Sequence, residues 1–252
     1  MNFGIIIQAR TGSTRLPKKV LANIHEGKNI LEFQIQRVLK YFNKKNLFIA
    51  TTILKQDKII KNIAKKYKIK SYAGSEKNVL KRYIDCCKKY KIKNIIRITS
   101  DCPLVDPRLI KKMMTVFKKK KIDYLSNTLP INNSTYPDGT DIEIFKYKSL
   151  KKVNELAKTK IEKEHVTNLF WSQKSVFKSN LIKMKINLSR YKFSIDYKKE
   201  LDLVRKIILE LNKKNLKGTA KEIVSIIKKN TRMNQLSQNS KKKFLNNRKD
   251  LY

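Results

Sequence analysis

The stretch Gln8-Ala9-Arg10-Thr11-Gly12-Ser13-Thr14-Arg15-Leu16-Pro17-Lys18-Lys19 gathers two arginines, two lysines, several hydroxyls and a glycine. Small side chains let a backbone approach a phosphate, arginine supplies forked donors, and lysine supplies a point charge. The G-x-x-x-x-G-K-[ST] spacing is absent, so this is not a P-loop. A basic surface loop is the plainer alternative. The second chemistry-bearing stretch is Ser100-Asp101-Cys102-Pro103-Leu104-Val105-Asp106. A carboxylate just past a buried strand can hold Mg²⁺ against a triphosphate, because that ion takes one or two protein carboxylates and completes its shell with water and phosphate oxygens. Asp101 fits that role, although aspartate also serves turns. Asp106, before Pro107, fits a helix cap. Asp196 ends another strand-like run and is either a second metal ligand or the cap of a helix starting at 198. His165 is a general-base candidate by residue type, with a structural role near a helix start as its alternative.

These loops need elements to hold them. Phe3-Gly4-Ile5-Ile6-Ile7 reads as a buried parallel strand. Asn29 and Glu32 have the spacing of a capping box, and Ile30, Leu31, Ile35, Val38, Leu39 and Phe42 follow a helical period. Strands are expected at Leu47–Ala50, Ile69–Ala73 and Asn94–Thr99, with helices around residues 59–67, 76–91 and from Pro107. Such alternation predicts an α/β fold: a mostly parallel, Rossmann-like sheet flanked by helices. In an open parallel sheet, ligands sit beyond the carboxyl ends of the strands near the switch in strand order, where both loops would lie. From Asp123 to Phe145 the pattern changes to short strands and turns. Helices are expected at 148–158 and 161–172, strands over 175–196, and helices at 198–214 and 219–229. The reading is one domain over 1–229 followed by a polar, Lys/Asn-rich tail, 230–252, expected to be flexible.

Composition narrows the class. Sixty Lys+Arg against 20 Asp+Glu give a formal charge of +40. The lysines are spread over the chain, as on solvated helix faces, and no helix-turn-helix, zinc-finger or aromatic RNA-binding signature is present. The charge therefore argues for attraction of nucleotides and other anions rather than for a nucleic-acid partner. Cys86, Cys87 and Cys102 form no C-x-x-C pair, which argues against a zinc site or disulfide framework. No stretch approaches the roughly 20 apolar residues that span a bilayer, and the start lacks a secretory signal pattern. A cytoplasmic chain without membrane insertion is the expectation.

The run Ala9 to Leu21 resembles the signature loop of the sugar cytidylyltransferases, which include the 3-deoxy-manno-octulosonate and acylneuraminate cytidylyltransferases. The closer likeness is to the spore-coat polysaccharide biosynthesis protein F branch. Further segments follow in family order: Gly74–Tyr83, Arg97–Asp106, Tyr136–Phe145, Glu164-His165-Val166-Thr167, and Ser194-Ile195-Asp196 with Glu200-Leu201-Asp202. The resemblance implies a nucleotidyltransferase domain similar to the glycosyltransferase-A fold, usually dimeric. It implies CTP over the first loop, with Gln8, Ala9, Arg10, Gly12, Ser13, Arg15 and Lys19 around its phosphates and Gly74, Ser75 and Arg82 flanking the base. It further implies Mg²⁺ on Asp101 and Asp196, with Arg15, Lys19 and Asp101 carrying the chemistry and Asp141, Glu143 and His165 towards the sugar. The implied products are a CMP-sugar and pyrophosphate, for surface polysaccharide or glycan synthesis, with an acidic nonulosonate among the possible sugars. Two other readings compete. One is a metal-dependent glycosyltransferase-A-type enzyme with its metal on Asp141-x-Glu143, which alternation places on one strand face. The other is a basic nucleic-acid-binding protein.

Overall fold

In the computed structural model, which describes residues 2–247, the apolar opening run becomes β1 (Phe3–Gln8). Phe3 to Ile7 are all buried, as a central parallel strand requires. A short ribbon follows, β2 (Asn23–His25) and β3 (Lys28–Asn29). α1 (Ile30–Leu39) begins at the expected capping box: the Asn29 side chain accepts from the Glu32 amide at 2.9 Å, and Glu32 accepts from the Asn29 amide at 3.3 Å. β4 (Leu47–Thr52), α2 (Lys58–Lys66), β5 (Lys70–Gly74), α3 (Val79–Tyr90), β6 (Asn94–Thr99) and α4 (Pro107–Lys119) then alternate. The pattern breaks at β7 (Tyr124–Ser126) and β8 (Glu143–Lys146). After these come α5 (Tyr147–Leu156), α6 (Lys160–His165), α7 (Asn168–Ser172), β9 (Ser179–Leu181), α8 (Lys198–Lys213), α9 (Ala220–Lys228) and α10 (Thr231–Asn246).

Seven strands form one sheet in the order β5-β4-β1-β6-β8-β7-β9. β1 pairs in parallel with β4 on one side and β6 on the other. Only β8 runs against its neighbours. Strand order therefore reverses direction between β1 and β6, and the loops leaving these two strands face each other across the switch point. Hydrophobic burial fixes both faces. Ile5, Ile7, Ile49, Ile96 and Ile98 pack on one side with Leu31, Ile60 and Met113 from α1, α2 and α4. Ile6, Phe48 and Ile95 pack on the other with Tyr83, Leu150 and Phe170 from α3, α5 and α7. A third cluster joins Tyr191, Phe193 and Ile195 to Val204, Ile207, Ile223 and Ile227 of α8 and α9.

Three expectations need correction. The 175–196 region contains one strand, β9; the rest is extended chain with a single bridge between Asp138 and Lys192. Its burial comes from α8 and α9 rather than from sheet pairing. The helix expected over 161–172 is two, broken at Val166. This buried β-branched residue has φ +54° and ψ −49°, and the Thr167 amide turns back to donate to the His165 carbonyl. The expected flexible tail is instead largely α10, capped by the Asn230 side chain accepting from the Met233 amide. It buries Met233, Ser237, Ser240 and Lys241, a stripe at helical spacing but mostly polar. The Ser237 hydroxyl accepts from the Lys192 amide at 3.0 Å and donates to the Lys192 carbonyl at 2.9 Å. Residues 248–252 of that stretch lie outside the described residues.

Candidate functional site

The β1 loop is held from below by a residue that the sequence did not single out. Asp57, fully buried just before α2, accepts from the Thr11 amide at 2.7 Å, from the Thr11 hydroxyl at 2.6 Å, and from the Thr52 hydroxyl. With Thr11 fixed, the Ser13 and Lys18 amides both donate to its carbonyl, at 2.8 and 3.2 Å, and the loop curls so that its cations project over the switch point. Arg10 is partly exposed, 3.8 Å from Glu76. Lys18 takes a left-handed backbone, φ +51°, and Lys19 turns inward to only 8% exposure.

Lys19 is the hub. Its ammonium lies 3.5 Å from Asp101 and 3.5 Å from Asp196, and it donates to the Ile195 carbonyl. Arg15 donates to Asp196 at 2.8 Å, with its guanidinium 5.7 Å from the centre of the Tyr197 ring. Behind them Lys192, only 1% exposed, reaches Asp196 at 3.2 Å and Glu200 at 3.1 Å. Backbone pairing delivers Asp196 to this point. Phe193 donates to the Asp138 carbonyl at 2.9 Å, and Ile195 donates to the Asp101 carbonyl at 2.8 Å, so the 191–196 segment is threaded between those two loops. The Asp196 and Tyr197 amides donate to Glu200, so the cap of α8 is Glu200 rather than the Asp196 carboxylate. Burial alone would push the Asp101 carboxyl up. Lys19, the Thr99 hydroxyl and Lys192 outweigh it and hold the group at about 2.

Gln8, Arg10, Gly12, Ser13, Arg15, Lys19, Asp101, Asp141, Glu143, His165 and Asp196 all border one cleft of about 370 Å³. Its far wall comes from the β8 side. Glu143 is tied up there: Arg97 pairs with it, the Tyr124 hydroxyl donates to it at 2.7 Å, and so does the Thr167 hydroxyl. Asp141 accepts from the Thr128 hydroxyl at 2.7 Å and the Gly139 amide at 2.8 Å. Burial and the nearby Asp138 raise its carboxyl to about 6, against the pull of those two donors. The turn depends on Gly139, with φ +107°. A Cβ there would meet the Phe193 ring at 2.6 Å and the Ser194 amide nitrogen at 2.7 Å. Asp138 accepts from the Ser194 hydroxyl and lies 3.7 Å from Lys241 of α10. Lys241 and Phe244 thus close one side of the cleft. Sequence reading missed both, because neither sits in a recognisable motif.

Four other residues expected at the nucleotide do not border this cleft. Ala9 is in the core, its amide donating to the Ala50 carbonyl at 3.1 Å. Gly74 ends β5 and Ser75 follows it in the turn, and neither borders the cleft. Arg82 is fully buried. Its fork donates to the Ser75 carbonyl at 2.8 and 2.7 Å and to the Glu76 carbonyl at 3.0 Å, so it braces the turn instead of presenting charge outward. Asp101 and Asp196, carboxylates from different loops and of the type a hard divalent cation such as Mg²⁺ takes, both face the Lys19 ammonium. Among the described residues no larger His, Cys, Asp or Glu group could hold a metal. Glu143 of the Asp141-x-Glu143 pair is held by Arg97, Tyr124 and Thr167, as Asp196 is by Arg15, Lys19 and Lys192.

Comparison with known proteins adds an independent line. A family model described as "Cytidylyltransferase" matches residues 4–243. The spore coat polysaccharide biosynthesis protein SpsF of Bacillus subtilis is 27% identical over 234 residues, covering 89% of this chain and 93% of that protein. A protein of Methanocaldococcus jannaschii, named "Uncharacterized protein MJ1063", is 32% identical over 242 residues, covering 94% of this chain and 95% of that one. A solved cytidylyltransferase structure from Leptospira borgpetersenii superposes with a TM-score of 0.84 at 30% identity, over 92% of this chain and 96% of that chain.

Proposed function

This chain belongs to the cytidylyltransferase family, and from that premise we propose that it joins the CMP part of CTP to a sugar hydroxyl with release of pyrophosphate, the product serving surface polysaccharide or glycan assembly. The observation that carries the reading is the convergence of Lys19, Arg15, Asp101 and Asp196 where the loops after β1 and β6 meet. The polysaccharide role is supported by the likeness to SpsF, whose name states it.

In this reading the triphosphate lies along the β1 loop. Arg10 and Arg15 reach it with forked donors, and Lys19 holds position beside the α-phosphate. Asp101 and Asp196 would hold Mg²⁺, which when bound neutralises phosphate charge and polarises phosphorus towards attack. Phosphoryl chemistry asks the protein for positioning and charge stabilisation more than for covalent work. Arg15 and Lys19 meet the charge that builds on the leaving pyrophosphate. The sugar enters from the side lined by Asp141 and His165, and the α10 wall limits water access.

Asp101→Asn tests the assignment. It removes the charge but keeps the side-chain shape, so the circular dichroism spectrum stays that of the folded wild type while loss of the Lys19 pairing lowers the thermal midpoint. Pyrophosphate release from CTP and acceptor falls by about 10²-fold or more, on the scale of losing one preorganised electrostatic contact. Turnover within a factor of a few of wild type removes Asp101 from the mechanism.

A further inference from the structure

We propose that the edge of the sheet opposite the cleft is a docking surface for an anionic phospholipid bilayer. Where helices connect parallel strands, each helix runs back against the sheet, so its carboxyl end lies beside the amino ends of the strands. β1, β4, β5 and β6 are mutually parallel, and β7 runs with them because β6 and β7 both pair against β8. The ends of α1 to α4 and the entries to β4, β5, β6 and β7 therefore share one edge, away from the loops after β1 and β6 that border the cleft. Residues 40–46, 65–70, 88–93 and 118–122 make up this edge. Every lysine in these four segments is exposed, and the segments contain neither an acid nor an arginine.

Helix ends explain only part of this charge. A cation in the last turn stabilises a helix, but the effect fades beyond that turn. Lys44, Lys45, Lys68, Lys91, Lys93 and Lys121 all lie past the ends of α1 to α4. The neighbouring acids leave the edge positive. Glu32 pairs with Lys66 at 2.7 Å. Asp123, just after the last segment, accepts from the Ser149 hydroxyl at 2.8 Å and the Lys178 amide at 3.1 Å, and lies 3.7 Å from Lys146. Residue type then selects the occupant. Lysine is a hydrated point charge suited to a diffuse anionic surface, whereas the arginine fork serves specific recognition of phosphates and bases. Tyr90, partly buried at this edge, has the Lys70 and Lys89 ammonium groups 5.4 and 5.5 Å from its ring centre, so the ring is covered rather than offered to a stacking base. A bilayer held here leaves the cleft pointing away from the lipid, open to soluble substrates.

The test is sedimentation of the full chain with vesicles of phosphatidylcholine alone, or of phosphatidylcholine with roughly 30% phosphatidylglycerol, at about 0.1 M salt. Association with the anionic vesicles is expected to be about tenfold tighter or more, and to be released at about 1 M salt. A combined variant, Lys91→Gln, Lys93→Gln, Lys118→Gln, Lys119→Gln, Lys120→Gln and Lys121→Gln, should lose about tenfold or more of that affinity. A control of equal net charge, Lys199→Gln, Lys206→Gln, Lys213→Gln, Lys221→Gln, Lys228→Gln and Lys229→Gln, alters exposed lysines on α8 and α9 and should lose less than about threefold. Circular dichroism confirms that both variants fold. Equal losses in the two variants mean that net charge alone does the work and overturn the assignment, as does equal sedimentation with both vesicles. Tighter binding of mixed-sequence RNA than of anionic vesicles, lost in the first variant, overturns it in favour of a nucleic acid. Docking is read without nucleotide or sugar, so a failure of nucleotidyl transfer, seen as no pyrophosphate from CTP, is a separate result.

Discussion

Lys19 concentrates the residue-scale lesson. Its place in a cationic loop was legible from local pattern, whereas Asp101 and Asp196 came to the same site only through the family resemblance, because backbone pairing far along the chain brings them to it. Arg82 gives the opposite case. The resemblance put it beside the nucleotide base, and in the fold it is buried as a brace for the Ser75 and Glu76 carbonyls. Gly12 offers a clean probe of the ligand. A Cβ there would come no closer than 3.5 Å to any protein atom, an ordinary contact. Gly12→Ala therefore leaves the unfolding midpoint within about 0.5 kcal/mol of wild type. The KM for CTP rises severalfold if a phosphate needs that space; an unchanged KM removes the close approach. Asp141 carries a pH signature. Its folded carboxyl titrates at about 6, above the ordinary value of 3.8, so it favours the protonated form. The native state is then not penalised below pH 4 and loses stability as pH rises through 6. Asp141→Asn should be more stable than wild type at pH 8, with the gap closing at pH 4, as read from urea midpoints.

At the scale of elements, most of the first half was readable from hydrophobic period and caps. β6 and the Asn29–Glu32 box fall where the pattern put them. The second half was harder, because its parts are positioned by tertiary contacts. The Lys192–Ile195 segment is extended without belonging to the seven-stranded sheet, and Val166 breaks a helix that composition would continue. α10 escaped notice because its buried stripe is largely serine and lysine, which carry no hydrophobic signal. Its anchorage through Ser237 is correspondingly polar. Ser237→Ala strands the buried amide and carbonyl of Lys192, at a cost of about 1–3 kcal/mol. Calorimetry measures that loss. Pyrophosphate release should fall as well, because Lys192 reaches Asp196. Wild-type stability in this variant would show that α10 is held by other contacts.

For the whole molecule, the charge of +40 is a long-range property laid over a local site. A positive field draws in a triphosphate, and salt screens that attraction. The KM for CTP should therefore rise steadily as added salt shortens the Debye length from about 10 Å at 0.1 M towards about 3 Å at 1 M, and uncharged cytidine should show no such trend in binding. Fold class was legible at this scale because alternating strands and helices leave few topologies. The corner where β8, the 191–196 segment and α10 meet was not, since no local rule joins pieces so distant in sequence. That corner has a consequence for how the protein is made. The β1 loop emerges from the ribosome more than 200 residues before the side chains that wall its cleft, Lys241 and Phe244. A nascent chain can thus display its phosphate cradle while one side of the chamber is missing, and competence arrives only once α10 has emerged. A fusion placed after the last helix would sit near the chamber's door, whereas one placed before the first strand would start at the opposite end of that strand.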